Sequence, residues 1–182
     1  RSMVRYIKGA RKAVTILFAD IEDSTSIWDT FGDIKGRLIV DQHNRMLFPV
    51  IARFNGRVIK TIGDAIMASF KKPGQAVRAA IAIQQLLKKE KQREAELKVR
   101  IGIHTGEAIV EYDDVYGDVV NVASRVESAG AGGQIVLSKD TVNVLDPGEF
   151  RLSVGRDFLP KGKSVPITVF NCEWESCPDL IG

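Results

Sequence analysis

The sequence predicts an α+β fold: a ferredoxin-like βαββαβ core with a C-terminal α/β extension, its antiparallel-rich sheet carrying helices packed on it. Three observations predict this. Residues 13–21, AVTILFADI, form a nearly continuous β-branched and aromatic run, as in a strand buried on both faces. Residues 57–70 split into two short apolar runs around Gly63-Asp64, the pattern of a hairpin. A third strand pattern, KVRIGIHTGEAIV at 98–110, follows a long stretch of helical spacing.

Each element can be justified in order. After the first strand, the polar cluster EDSTS offers Ser24 or Thr25 as the cap of a helix carrying Ile27, Trp28 and Phe31. Helical spacing continues through Leu38, Ile39, Met46, Leu47, Val50 and Ile51, with a bend expected at Pro49 and a stop at Asn55-Gly56. The hairpin has strands at 57–62 and 65–70. Pro73-Gly74 then opens a helix that reads on through residue 96, and its charged end, LLKKEKQREAELK, is a solvated face. Beyond the strand at 98–110 come a short loop EYDDVYG and a helix DVVNVASRVESA, with Val119, Val122 and Val126 as its buried stripe. QIVLS reads as a strand, KDTVNVL as a short helix, and FRLSV and ITVFNCEW as strands joined by LPKGKSVP. Residues 1–11 read as a lead-in, 12–175 as one domain and 176–182 as a tail.

Composition narrows the function. The 182 residues are 45% hydrophobic and 27% charged, which suits one globular domain with its own core. A net charge of +3 gives no basis for nucleic acid or an anionic membrane as partner. Cys172 and Cys177 match no zinc or redox spacing and read as reduced thiols in a cytosolic setting. Arg1-Ser2-Met3 reads as a cloning remnant, so the chain reads as one piece of a longer protein. No apolar stretch approaches the ~18–20 residues of a membrane span.

The chemistry must sit where charges interrupt apolar runs. Asp20 ends the first strand and Asp64 lies in the hairpin turn, and the topology makes these elements neighbours. A carboxylate pair without histidine suits a hard cation, Mg²⁺ or Mn²⁺, and the loop IEDST offers helix N-terminal N–H groups to phosphate oxygens. Taken singly, Asp20 also reads as a helix cap and Asp64 as a turn residue. Lys60 alternates with Val58 and Ile62 on one face; it either reaches a specific acceptor or guards a sheet edge. Asn121 and Arg125, four apart on the helix at 118–129, emerge together or form a solvated pair. His104, within a buried strand, reads as a satisfied core residue.

In order, FADIEDST, IKTIGDAIMASF, RIGIHTGE, DVYGDVVNVASRVES and PKGK resemble the motifs of the class III nucleotidyl cyclases, from about Lys12 to Trp174. The resemblance implies that Asp20, Ile21 and Asp64 hold two Mg²⁺ or Mn²⁺ ions. It implies that Lys60 and Asp114 read adenine, and that Arg100, Lys161, Ser24 and Thr25 meet the phosphates. Asn121 would position the ribose and Arg125 would stabilise the transition state. The implied reaction converts ATP to 3′,5′-cyclic AMP and pyrophosphate. The implied assembly is a homodimer with two sites at its interface, under an upstream regulatory domain outside this chain. The implied location is the cytoplasm, or the cytoplasmic face of a membrane for an anchored protein. Guanine would meet Lys60 donor to donor, a mismatch of about 1–3 kcal/mol.

Three positions depart from the family pattern. The arm between Gly106 and Asp114 is short, Asp23 and Ser24 stand where Gly and Phe are common, and Tyr116 stands where some members have Trp.

Overall fold

The computed structural model describes residues 11–90, 95–111 and 113–182. The lead-in at 1–11 lies outside them except for Arg11, and so does part of the expected end of the helix at 73–96.

The sheet is built from β1 (Arg11–Ile21), the hairpin β2 (Arg57–Ile62) and β3 (Ala65–Phe70), β4 (Val99–Glu111), β5 (Asp114–Tyr116), β6 (Ile135–Ser138), β7 (Arg156–Phe158) and β8 (Ile167–Asn171). Its strand order is β2-β3-β1-β4-β6-β8-β7, with β5 paired to β4. The first four strands in this order are all antiparallel neighbours, and β4–β6 is the parallel pair. The ferredoxin-like core is therefore present, and the rest of the chain extends it past β4.

Among the described residues, four α-helices cover the sheet: α1 (Ser24–Arg53), α2 (Pro73–Lys89), α3 (Asp118–Ser128) and α4 (Lys139–Val144). Because side chains alternate along a strand, β1 feeds two cores. Leu17, Ala19 and Ile21 face α1 and α2 and pack with Ile27, Leu47, Ile51, Ala76 and Ile83. Val14, Ile16 and Phe18 face the other way and pack with Val119 and Ala123 of α3. Each large aliphatic side chain so buried contributes about 1.5–3 kcal/mol. Among the described residues, no helix is long and apolar enough to cross a membrane.

Several local expectations need correction. The break in α1 falls at Gly32, whose φ of 77° and ψ of 174° lie outside helical space, while Pro49 keeps helical dihedrals. Gly36 lets the two segments cross, since a Cβ there would lie 2.5 Å from the Trp28 ring. Neither Ser24 nor Thr25 caps α1; the cap is Asp23, in the left-handed region at φ 54°. The expected stop holds: Asn55 takes φ 62°, and the Gly56 amide donates to the Ile51 carbonyl. Part of the loop EYDDVYG is strand β5, because β4 runs on to Glu111 and pairs back on it. FRLSV contributes only a bridge, Leu152 to Cys172, and the strand lies later at Arg156–Phe158. On α3, Ala123 rather than Val122 joins Val119 and Val126 as fully buried. The tail packs on α2, where Gln85 and Lys89 bond to Pro178, Leu180 and Asp179.

Candidate active site

The register of β1 determines where its carboxylate goes. Asp20 alternates with Phe18, so it lies on the α3 face, opposite Ala65 on one side and Arg100 on the other. Ala65 follows Asp64, which the Gly63-Asp64 turn holds at the same end of the sheet. Gly63 has φ 57°, as the first position of a tight type II′ hairpin turn requires. The aspartates are near enough to feel each other. Burial raises the pKa of Asp20, the like charge of Asp64 raises it further, and Arg100 opposes both. Two crowded carboxylates make a place of negative potential that a divalent cation would relieve, and their oxygens suit Mg²⁺ or Mn²⁺. Among the described residues no cluster of three or more His, Cys, Asp or Glu side chains is arranged to hold a metal. An ion at this pair would therefore complete its shell with waters and phosphate oxygens, as Mg²⁺ does readily. The Ile21 side chain is buried toward α1 and α2, so only its main-chain carbonyl is available to an ion.

Arg100 joins this corner. Its Nη2 lies 3.5 Å from Asp20 Oδ2 and its Nε 3.2 Å from Glu127 Oε1. The second contact lacks hydrogen-bond alignment, so charge holds it together. Glu127 was not picked out from the sequence. Burial first, and then Asp20, push its carboxyl up to about 7, against the pull of Arg100. The signal was available, because Glu127 follows Val126 and lies four residues after Ala123 on an apolar stripe.

Lys60 belongs to a different region. A bulge in β2 shifts the register between Val58 and Lys60, so Val58 opposes Ala68 while Lys60 opposes Met67. These two residues therefore face opposite sides of the sheet, which corrects the expected alternation. The shift aims Lys60 at the β4–β5 arm, where its Nζ lies 3.0 Å from Asp114 Oδ2. The Asp114 carboxyl is held below the usual carboxylate range by Lys60 and by the Val115 amide. A second pair, Arg57 with Asp113 at 3.1 Å, lies alongside and also escaped the sequence reading.

The remaining candidates are spread out. On α3, Asn121 is exposed and Arg125 half-buried. Lys161 is exposed in the β7–β8 loop, which leaves the sheet at the end away from Asp20. Ser24 and Thr25 open α1 immediately after Asp20 and Ile21. The loop between is fixed by Glu22, whose amide donates to the Lys98 carbonyl and whose Oε1 accepts from the Gly132 amide. His104 is satisfied, with Nδ1 2.7 Å from Ser138 Oγ. One chain thus brings Asp20, Asp64 and Arg100 together, and separately Lys60 and Asp114. It does not bring Lys161 to the aspartates.

Comparison with known proteins identifies the family and the fold. The family described as the adenylate and guanylate cyclase catalytic domain matches residues 7–171. The chain belongs to this family. The receptor-type adenylate cyclase GRESAG 4.2 of Trypanosoma brucei brucei is 29% identical over 204 residues, spanning 86% of this chain and 36% of that protein. An adenylate cyclase of Mycosarcoma maydis is 33% identical over 158 residues, 72% of this chain and 6% of the relative. The chain therefore spans about a third or less of these relatives' length. A solved structure of adenylate cyclases from Trypanosoma brucei in their monomeric state superimposes with a TM-score of 0.75 at 26% identity, covering 88% of this chain and 87% of that one. As a cyclase domain, the molecule has a sheet face on which two separate sets of polar residues need explanation.

Proposed function

We propose that this chain is an adenylate cyclase catalytic domain that converts ATP to 3′,5′-cyclic AMP and pyrophosphate at sites shared between two copies. The observation that carries the reading is that Asp20 and Asp64 converge at one end of the sheet while Lys60 and Asp114 pair on the arm. A donor and an acceptor held 3.0 Å apart match the ring N1 and amino group of adenine. Guanine offers neither in that order, and each unpaired buried group costs about 1–3 kcal/mol.

Asp20, Asp64 and the Ile21 carbonyl would hold two Mg²⁺ or Mn²⁺ ions, whose chemistry when bound is Lewis-acid activation and neutralisation of triphosphate charge. The ribose 3′-hydroxyl releases its proton to solvent water as its oxygen attacks the α-phosphorus, the bond from that phosphorus to the bridging oxygen breaks, and pyrophosphate carries away the electron pair. Arg100 and the start of α1 at Ser24 and Thr25 face the phosphates from the aspartate side. Asn121 orients the ribose. Arg125 and Lys161 stabilise charge on the transferring group and on pyrophosphate.

Lys161 leaves the sheet at the end away from Asp20, so one nucleotide touching both must lie between two copies. That requirement supports a twofold homodimer with two sites. The short arm at 107–113 fits weak association, as does the monomeric state in which the trypanosomal relatives were solved. The cytoplasm, or the cytoplasmic face of a membrane, supplies the ATP. A regulatory domain outside this chain would act by setting the distance between copies.

The test is complementation. Asp20→Ala and Arg125→Ala chains should each be inactive, and mixing them should restore cyclic AMP formation with Mn²⁺ through heterodimers holding one intact site. Silence from wild type and mixture alike at high protein concentration would defeat the reading.

A further inference from the structure

Arg100 poses a problem for the metal reading of Asp20. A guanidinium beside a metal-binding carboxylate competes with the ion for the same oxygens, and Nη2 already stands 3.5 Å from Oδ2. What keeps it there, rather than closing into a bidentate pair, is a second carboxylate that touches both groups. Glu127 Oε1 lies 3.2 Å from Nε, and the Glu127 side chain is 9% exposed against 30% for Arg100. The approach that makes this possible is built into β4. A Cβ on Gly102 would lie 2.3 Å from the Glu127 amide nitrogen, so only glycine lets the α3 backbone rest on the strand there. The carboxylate then reaches the sheet beside Asp20 and Arg100, in contact with both.

We propose, resting on the metal reading above, that Glu127 is a positioning residue. It holds Arg100 off Asp20, leaving the aspartate oxygens to a divalent cation and the terminal guanidinium nitrogens to the phosphates of the nucleotide. Without it, Arg100 closes on Asp20 as the remaining carboxylate in reach of its charge. A role confined to anchoring α3 would predict lost stability and no dependence on Arg100.

The experiment is a double-mutant cycle read by Mn²⁺ alone, using the electron paramagnetic signal of the free ion with nucleotide-free protein. Thermal unfolding of every variant runs alongside. Glu127→Gln, which preserves volume, and Glu127→Ala should raise the Mn²⁺ half-saturation concentration about tenfold or more, the usual scale for supporting partners of metal ligands. Arg100→Ala alone and Arg100→Ala/Glu127→Ala should both stay within about twofold of wild type. The inference is overturned if Glu127→Gln binds Mn²⁺ like wild type, or if the double variant stays as weak as Glu127→Ala. It is also overturned if Arg100→Ala alone tightens binding about tenfold, a result independent of how the Glu127 variants fold. If wild type and Asp20→Ala bind Mn²⁺ alike, the metal reading itself falls and this inference with it. Binding lost in Asp20→Ala but untouched in Glu127→Gln removes the inference and leaves the metal reading standing.

Discussion

The aspartate corner and the β4–β5 arm sit on one face of one sheet, yet they treat charge in opposite ways. At the corner, half-buried Asp20 and buried Glu127 share a single guanidinium with Asp64 close by; burial pushes both carboxyls up, Asp64 adds to the rise at Asp20, and Asp20 adds to the rise at Glu127. On the arm, Lys60 and Asp114 satisfy one another, and the aspartate is held down instead. The corner holds more carboxylates than its one guanidinium balances, and the packing behind keeps them there. The arm is already neutral and places a donor beside an acceptor. Folding alone would select the second arrangement and reject the first, and that contrast marks the corner as the place where function overrides stability.

The largest effects should separate these regions. Asp20→Asn is expected to lower cyclase turnover about 10²–10³-fold, while the metal-free variant melts above wild type because an unfavourable charge is gone. Lys60→Ala should instead raise KM for ATP, and its melting temperature should hold, since exposed ion pairs contribute only about 0–1 kcal/mol. An Asp20→Asn chain that melts lower would break the comparison.

A smaller effect concerns the loop beside the corner. Asp23 occupies left-handed backbone at φ 54°, where a side chain costs about 1–2 kcal/mol and glycine costs little. Asp23→Gly should therefore stabilise the domain by about 1 kcal/mol in urea unfolding, the low end because aspartate tolerates this region.

The smallest effect lies between the regions, at His104 on β4. Burial lowers its pKa below the usual 6.5, and Asp140 and Asp118 only partly oppose that. A folded state that disfavours the protonated ring binds fewer protons than the unfolded chain. Its stability is therefore full above pH 6.5 and falls as pH drops below that value toward the folded pKa. His104→Gln should flatten this limb of the stability–pH curve, and an unchanged slope would locate the titration elsewhere.

How legible the site was follows from the range of each interaction. Asp20, Asp64, Arg100, Lys60 and Asp114 stood out because each breaks an apolar run or sits in a motif, and those are local signals. The bulge that turns Lys60 toward the arm was not legible, because register slips arise between strands. Glu127 was missed for the same reason: its meaning depends on a glycine 25 positions earlier that lets helix and strand backbones touch. The break at Gly32 and the displaced strand β7 were also misjudged, since apolar spacing there fits either element.

By itself the chain of residues determined the βαββαβ order, the two faces of β1 and the placing of each chemical group on its element. Those depend on periodicity and turn chemistry, which act over a few residues. Only the tertiary structure decided which charges meet. Arg100 meets both Asp20 and Glu127, and Lys60 meets Asp114, because register, a bulge and one missing Cβ bring distant backbone within ångströms.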